Sequence, residues 1–292
     1  MVFVDHLING ISLGSIYAII ALGYTMVYGI AKMLNFAHGD VIMVGAYIAY
    51  CGMQLWGLPV PLAILVSMVF CTILGITIEK LAYRPLRQVT SLAVLITAIG
   101  MSYLLQNLAL MIWGAGSRVF PETFINGTTI RLGELSISIS AVITICVNIV
   151  IMVSLTLFTS RTRTGKAMRC VSEDRGAAQL MGINVNRTIS ITFAIGSALA
   201  AIAGVLLCSA YPVLQPTTGS MPGIKAFTAA VFGGIGSIPG AMLGGVLLGV
   251  IEIFGKAYIS TELGDAIVFA VLIIVLLVRP SGLLGKPVRE KV

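Results

Sequence analysis

The 292-residue chain is 58% hydrophobic and only 10% charged, and its mean hydropathy is +1.04. Soluble globular domains carry about 25% charged residues, so this composition excludes an ordinary soluble protein and indicates a membrane protein. The net charge of +7 does not indicate nucleic-acid binding, because the basic residues follow the loops between apolar segments and so report orientation in a lipid bilayer. We expect one transmembrane domain over residues 1–292.

The apolar segments predict an all-α polytopic fold. A spanning helix needs about 20 apolar residues, and Leu7–Ile30 supplies the first. Residues 41–78 are too long for one span, and GLPVP at 57–61 divides them into two. Further spans are predicted at 91–113, 139–160, 189–214 and 241–258, with a last one that reaches Val278. Residues 222–236 form a shorter apolar piece, so the count is nine segments with it and eight without it.

Basic residues concentrate in three regions, which are 80–87, 161–187 and the tail 279–291. The positive-inside rule predicts that all three regions face the cytoplasm. That arrangement requires an even number of crossings between each pair of regions. It therefore favours nine segments, with the N-terminus outside and the C-terminus in the cytoplasm.

A polar stretch, KMLNFAHGD at 32–40, follows the first apolar segment. A Lys or Asp at the bilayer centre costs about 2.5–3.5 kcal/mol, so these residues do not face lipid. One alternative is a plain cytoplasmic turn. The other follows from the short apolar segment Val41–Trp56, which reaches spanning length only if NFAHGD enters the membrane as backbone lined by protein.

A similar break, QPTTGSMPGIKAF at 215–227, precedes the short apolar piece of the second half. Interrupted segments at matching positions of two halves indicate a transporter's substrate site within an inverted repeat; the halves are residues 1–138 and 139–292. Helix starts near Gly39 and Pro222 offer unpaired N–H groups that suit a carboxylate. The candidate substrate-pathway residues are Asn35, His38, Gly39, Asp40, Thr217, Thr218 and Gly219. A plain-loop reading of both breaks remains the alternative.

Asp40 lies where the second helix begins, and its charge is expected to stabilise that helix start. Its expected partner is either Lys32 or the ammonium group of a substrate, and the sequence leaves both open.

The polar loop at 160–188 contains a second feature, the segment EDRGAAQLMGI. It predicts a short helix with Glu173 and Asp174 in its first turn and Gly182 as its stop. Such a helix suits docking of a cytoplasmic partner. The alternative is a charged loop that obeys the positive-inside rule.

Glycines cluster in GGIGSIPGAMLGGVLLG, where small residues four apart allow helix backbones to approach closely in lipid. The expected packing positions are Gly236, Gly240, Gly244, Gly245 and Gly249.

Catalytic and metal-binding motifs do not occur in the chain. It has no HExxH, no GxSxG and no GxxxxGK[ST] phosphate loop, and its five cysteines have no metal-ligand spacing. The chain is therefore not expected to be an enzyme, to hydrolyse ATP itself or to hold a metal. Its polar residues inside apolar segments point to transport.

Four stretches carry a resemblance to a known family: GSIYAIIALGYTMVYGIAKMLNFAHGDVIMVGAY, EDRGAAQLMGIN, KAFTAAVFGGIGSIPGAMLGG and VRPSGLLG. They resemble the permease subunit of bacterial branched-chain amino acid ABC importers over essentially the whole chain. The resemblance implies a fold of the type II importer permeases and uptake of leucine, isoleucine and valine across the cytoplasmic membrane. It further implies two cytoplasmic ATP-binding subunits, a second related permease or another copy of this one, and an extracytoplasmic substrate-binding protein.

The coupling motif of such permeases is EAAxxxG. Ala177, Ala178 and Gly182 match it, whereas Gly176 stands at the glutamate position. The resemblance implies that the following residues contact the ATPase: Glu173, Asp174, Arg175, Ala177, Ala178 and Gly182. No cofactor is implied, because ATP binds to the partner subunits.

A rival hypothesis is a self-sufficient ion-coupled carrier or channel for a small polar solute, such as another amino acid, an amide or urea. His38 and Asp40 would then be ligands for a proton or sodium ion. A self-contained carrier does not require the elaborate loop at 160–188.

Overall fold

Apolar helices make up most of the computed structural model, which describes residues 2–87, 89–121, 129–132 and 135–285. Two short helices of the 160–188 loop lie within the second half, between two of its long helices. The eleven helices are α1 (Val2–Ala31), α2 (His38–Gln54), α3 (Val60–Ile78), α4 (Ser91–Trp113), α5 (Ile139–Arg161), α6 (Arg163–Glu173), α7 (Arg175–Leu180), α8 (Val185–Ala210), α9 (Ser220–Gly233), α10 (Ile238–Tyr258) and α11 (Gly264–Val278).

Six helical stretches in this part of the chain are long and apolar enough to cross a membrane: Val2–Ala31, Val60–Leu86, Leu92–Trp113, Ile139–Arg161, Val185–Ala210 and Ile238–Tyr258. The second of these joins α3 to a π-helical turn (Glu79–Tyr83) and a 3-10 turn (Arg84–Leu86). Three further apolar helices are shorter, with 17 residues in α2, 14 in α9 and 15 in α11. The prediction of a helical protein with many apolar segments is confirmed.

Four short strands accompany the helices: β1 (Arg118–Val119), β2 (Thr129–Leu132), β3 (Leu135–Ser138) and β4 (Val213–Leu214). β1 pairs antiparallel with β4, and β2 pairs antiparallel with β3. The predicted span at 189–214 is therefore wrong at its end. The helix stops at Ala210, and the next apolar residues form the β4 strand, whose backbone groups bond to β1 instead of continuing the helix.

The two most buried long helices, α1 and α8, form the centre of the molecule. α1 packs against α10, and α8 packs against α3 and α2. Glycines allow the first contact, because a Cβ on Gly245 would lie 2.4 Å from the backbone nitrogen of Ala18. On α10, Gly249 faces Gly14 of α1, and Gly240 and Gly244 face the backbone of α9.

Gly236 also packs closely, since a Cβ on Gly29 of α1 would lie 3.2 Å from its Cα, but it does so from a turn. It lies in the turn before α10 with φ 93°, so it is not part of the helical row. The helix begins later because Ser237 caps it, accepting a hydrogen bond from the Gly240 N–H at 3.2 Å.

The C-terminal tail enters the orientation argument through its basic residues. Lys286, Arg289 and Lys291 lie outside the described residues, and Arg279 directly follows α11.

Candidate functional site

The first break separates α1 from α2. Residues 32–37 lie between the two helices, and most of the stretch is buried although Lys32 itself is exposed. Lys32 has φ 52°, the only positive φ of a non-glycine residue in the described ranges. The chain therefore turns sharply at the end of α1 and re-enters the helical core before α2 begins.

The starts of α2 and α9 meet. A Cβ on Gly219 would lie 1.8 Å from the carbonyl oxygen of Gly39, and a Cβ on Gly223 would lie 2.9 Å from the Gly39 Cα. Only glycine allows two backbones to approach this closely. The fold thus brings together the two stretches that the sequence separates by about 180 residues, counted from Gly39 to Gly219.

Gln106 of α4 joins the two helix starts. Its Nε2 donates to Asp40 Oδ1 at 2.9 Å and lies 3.3 Å from the Ser220 hydroxyl oxygen and 3.3 Å from that of Ser102. Asp40 is buried in the first turn of α2, whereas Lys32 is exposed. The partner of Asp40 in this structure is the Gln106 amide, and of the two alternatives left open by the sequence the pairing with Lys32 is not observed.

Two other predicted residues of the first break are also buried. Asn35 Oδ1 accepts a hydrogen bond from the Tyr83 hydroxyl at 2.8 Å. The ring of His38 packs on Tyr24, with ring centroids 4.7 Å apart, and its Nε2 is buried without a hydrogen-bond partner among the described residues. That nitrogen faces α1 at Gly23, where a Cβ would lie 2.5 Å away.

The second break differs in exposure. Thr217 is exposed, and Thr218 is partly buried and accepts a hydrogen bond on Oγ1 from the Gln215 N–H at 2.6 Å. The Ser220 N–H donates to the Thr217 carbonyl oxygen at 3.0 Å. The two threonines therefore shape the turn that leads into α9, and Gly219 provides the close contact to α2.

Fewer free N–H groups remain at the helix starts than the sequence suggests. The His38 N–H donates to the Asn35 carbonyl oxygen at 3.1 Å, and the Asp40 N–H donates to that of Ala37 at 3.1 Å. At α9 the Ser220 N–H donates to the Thr217 carbonyl oxygen at 3.0 Å, and Pro222 has no N–H. The two helix starts can still offer their helix dipoles and small uncharged surfaces to a ligand. The described residues contain no group of three metal-ligating side chains.

A cluster of charges inside the helical core was not predicted. Lys225 of α9 is 5% exposed, and its Nζ lies 2.8 Å from Glu252 Oε1 and 2.6 Å from Asp265 Oδ1. Lys256 Nζ also binds Glu252 Oε1, at 2.6 Å, and the Tyr17 hydroxyl donates to Glu252 Oε2 at 2.8 Å. This cluster links α9 to α1, α10 and α11.

A sequence signal for the cluster exists. Lys225 is the sole charge between Arg187 and Glu252, and Glu252 stands alone in an otherwise apolar stretch before Lys256. Charges inside membrane segments pair with one another, so each lone charge indicates a partner of opposite sign. Gln106 has no such signal, because an amide in an apolar helix fits many surroundings.

The loop at 160–188 folds into α6 and α7. Glu173 ends α6 and is therefore not in the first turn of the next helix, which corrects the prediction. Asp174 caps α7 by accepting the Ala177 N–H at 3.0 Å, and Gly182 follows that helix with φ 81°. Within α7, Ala177 is exposed, whereas Ala178 packs inward. Two large apolar side chains, Leu180 and Met181, are 90% and 83% exposed.

Arg175, the first residue of α7, points toward the helical core. Its Nη2 donates to the carbonyl oxygen of Ala31, the last residue of α1. The short helix is thus bonded directly to the chain where the first break begins.

The sequence matches a known family. A family model described as "Branched-chain amino acid transport system / permease component" matches residues 6–276. The high-affinity branched-chain amino acid transport system permease protein BraD of Pseudomonas aeruginosa is 48% identical over 308 residues, which cover 99% of this chain and 98% of BraD. LivH of Escherichia coli, which carries the same description, is 46% identical over 302 residues, covering 99% of this chain and 98% of LivH.

A solved structure has a related fold. PsaBC from Streptococcus pneumoniae, in complex with Fab, superposes with a TM-score of 0.50 and 15% sequence identity. The match covers 95% of this chain and 91% of that chain. At this identity the likeness concerns the fold alone.

Proposed function

Because the chain belongs to the family of branched-chain amino acid transport system permease components, we propose that it is the membrane subunit of an ATP-driven importer of leucine, isoleucine and valine. The observation that carries this proposal is the meeting of two interrupted helix starts, at Gly39 and Gly219, inside the helical core. Transport occurs by alternating access, in which the passage opens first to one side of the membrane and then to the other. The chain is not itself an enzyme.

The proposed arrangement has nine membrane segments in one domain, with the N-terminus outside and the C-terminus in the cytoplasm of a bacterial cell. The six long helices and the shorter α2, α9 and α11 supply these segments. Swapped contacts support an inverted repeat, since α1 of the first half packs on α10 of the second, and α8 of the second packs on α3 of the first. Labelling tests the orientation: single cysteines at Thr164 and Asn186, in a variant without native cysteines, react with impermeant reagents from the inside only.

The proposed pathway runs past the two breaks. Asn35, His38, Gly39 and Asp40 contribute the first, and Thr217, Thr218 and Gly219 contribute the second. The aliphatic side chain of the substrate suits the glycine-rich surface where α2 and α9 meet, and its zwitterionic end suits the helix dipoles and the polar groups beside them. A passage of low affinity is sufficient when an external binding protein captures and delivers the substrate.

The proposed ATPase contact is the end of α7, formed by Leu180 and the following Met181. Leu180 and Met181 are large apolar side chains that are almost fully exposed, whereas Met168 and Val171 of the same loop are buried. Exposed aliphatic and thioether side chains of this kind are suited to burial by a partner protein. The partners are two ATP-binding subunits, one for each of two permeases. The second permease is either a related chain or another copy of this one.

Co-purification tests this assembly. A Leu180→Glu, Met181→Glu double variant is expected to lose the ATPase subunit during purification, because two charges replace the apolar contact. Cys170→Glu, which places a charge at an exposed position of α6, is the matched control and should retain it. Retention of the ATPase by both variants would contradict the docking surface.

Uptake by the reconstituted complex tests the substrate. Proteoliposomes that contain the permease pair, the ATPases and the binding protein should accumulate labelled leucine only with ATP inside. Isoleucine and valine should compete with leucine, whereas an aliphatic amide and urea should not. Accumulation without the ATPases would favour a self-sufficient carrier.

A further inference from the structure

The end of α1 is bonded to the cytoplasmic helix that is proposed to contact the ATPase. The carbonyl groups of the last turn of a helix have no partner within the helix, and a cation there also interacts favourably with the helix dipole. Arg175 fills this position for Ala31 from the other half of the chain, 144 residues away. We propose that Arg175 is the positioning residue that transmits movement of α7 to the first break, an inference that rests on the proposed function.

The residue after Ala31 is suited to act as a hinge. Lys32 adopts φ 52°, a left-handed conformation that is unfavourable for residues with a Cβ. Such conformations persist only where the surrounding structure holds them, and they concentrate at sites that switch. The Arg175 bond holds the backbone one residue before this position, so loss or displacement of the bond leaves the turn free to change its conformation.

A second connection reaches the same break. The π-helical turn that follows α3 ends at Tyr83, whose hydroxyl donates to Asn35 Oδ1 at 2.8 Å. The turn begins at Glu79, which is buried, pairs with Arg87 and accepts the Ser190 hydroxyl of α8 at 2.6 Å. π-turns of this kind are frequent at functional sites.

The base of α8 joins the same connection. Arg87 Nη1 donates to Asn186 Oδ1 at 2.6 Å, and Asn186 lies in the first turn of α8, shortly after α7. Both ends of the α7 segment therefore lead to the first break, one through Arg175 and Ala31 and the other through Asn186, Arg87 and the π-turn.

Space beside α7 allows it to move. A cavity of about 630 Å³ lies between α7 and the start of α8, and its lining includes Arg87, Arg175, Gln179 and Asn186. α7 has one buried residue, Ala178, so its packing against the core is limited to a single small side chain. Its position is therefore transmitted mainly by individual bonds, of which the bond from Arg175 to Ala31 is the one that ends directly at the break.

The test compares uptake with ATP hydrolysis in the reconstituted complex. In complexes that retain the ATPase, Arg175→Ala is expected to lower the leucine transported per ATP hydrolysed by about tenfold, within the usual range of coupling between sites. Arg175→Lys keeps the positive charge, so it should restore part of the native ratio of leucine transported to ATP hydrolysed. Arg163→Ala, at an exposed position of α6, is the control and should retain the native ratio.

A second pair of variants tests the hinge without touching Arg175. Lys32→Gly keeps the left-handed turn and removes only its steric cost, so the turn can still change conformation and the ratio of uptake to hydrolysis should stay near that of the native complex. Lys32→Val places a β-branched side chain in the left-handed region and should lower the ratio. Equal ratios in the two variants would contradict the hinge even where Arg175→Ala fails to assemble.

The possible outcomes separate this inference from the proposed function. A native complex that binds no ATPase or takes up no amino acid would overturn the proposed function. A native complex that transports, together with an Arg175→Ala variant whose ratio stays within about twofold of native, would overturn only the positioning role. Lower stability of Arg175→Ala with an unchanged ratio would likewise assign Arg175 a purely structural role.

Discussion

The two breaks of this molecule have a similar backbone outline but different anchors. At the first break, the uncharged side chains of Tyr83 and Gln106 bind Asn35 and Asp40. Beyond the second break, α9 is held by a cluster of charges around Lys225 and Glu252. Removing one partner of a buried charge pair costs about 3–5 kcal/mol, whereas leaving a neutral group unpaired costs about 1–3 kcal/mol. The comparison indicates that α9 is the more firmly held of the two helix starts, and that α2 is the one that shifts more easily.

The largest effect on the difference between the two helix starts is expected when the charge of Glu252 is removed. Glu252→Gln leaves Lys256 without a carboxylate and Lys225 with Asp265 alone, and we expect a loss of stability toward the lower end of about 3–5 kcal/mol. The melting temperature of the purified permease, followed by size-exclusion chromatography after heating, should fall well below that of the native protein. Glu262→Gln, in an exposed loop, is the control.

A rescue variant sharpens the Glu252 prediction. Lys225→Met combined with Glu252→Leu removes both buried charges, and replacing a buried ion pair by apolar residues is often neutral. The double variant should therefore melt at a higher temperature than Glu252→Gln. A native melting temperature for Glu252→Gln would show that the cluster does not anchor α9.

The next largest effect is expected where the two breaks touch. Gly219→Ala places a methyl group 1.8 Å from the Gly39 carbonyl oxygen, so α2 and α9 must separate. Overpacking of this kind costs about 1–3 kcal/mol, and uptake should fall because the proposed passage runs between these helix starts. Gly100→Ala on α4, where a Cβ meets nothing within 4 Å, should leave both stability and uptake unchanged. Normal uptake by Gly219→Ala would separate the contact from transport.

A smaller effect is expected at the bond between Asp40 of α2 and Gln106 of α4. Asp40→Ala and Gln106→Leu each remove the 2.9 Å bond between α2 and α4, and Asp40→Ala leaves Gln106 only its longer contacts to Ser102 and Ser220, so each variant should cost about 1–3 kcal/mol. Each should reduce uptake without reducing the amount of protein in the membrane, and Asp40→Asn should retain more uptake because its amide oxygen still accepts from Gln106. In the double variant the losses should not add, since both single variants remove the same bond. Fully additive losses would mean that the two residues act independently.

Hydropathy predicted the membrane helices well for a physical reason. α4 begins and ends where the apolar run does, at Ser91 and Trp113, because lipid requires an apolar surface over the whole span. The same rule failed at Val213–Leu214, which is apolar but pairs as a strand with β1. Apolar composition reports removal from water, by lipid or by protein, and it does not distinguish a helix end from a short strand.

The sequence predicted where the candidate site residues lie along the chain better than it predicted which residues they bind. The two breaks and the glycines at 39 and 219 follow from matching interruptions in the two halves. The partner of Asp40 depends on which residue of α4 faces α2, and no local pattern around Gln106 encodes that register. Glu173 was assigned to the wrong helix because its charge fits either the end of α6 or the start of α7, and Asp174 decides between them by capping α7.

The smallest expected effect concerns the two threonines of the second break. It distinguishes residues that support the turn before α9 from residues that line the substrate passage. Thr218→Val removes the Oγ1 atom that accepts the Gln215 N–H at 2.6 Å, so the turn before α9 should lose about 0.5–1.5 kcal/mol. Thr218→Ser keeps that oxygen and should keep the native melting temperature. Thr217 is exposed, so Thr217→Val should leave the melting temperature unchanged, yet uptake should fall modestly if its hydroxyl lines the passage. Native uptake by Thr217→Val, together with the expected loss of stability in Thr218→Val, would show that the second break supports α9 without lining the passage. The substrate would then pass along the α2 side alone.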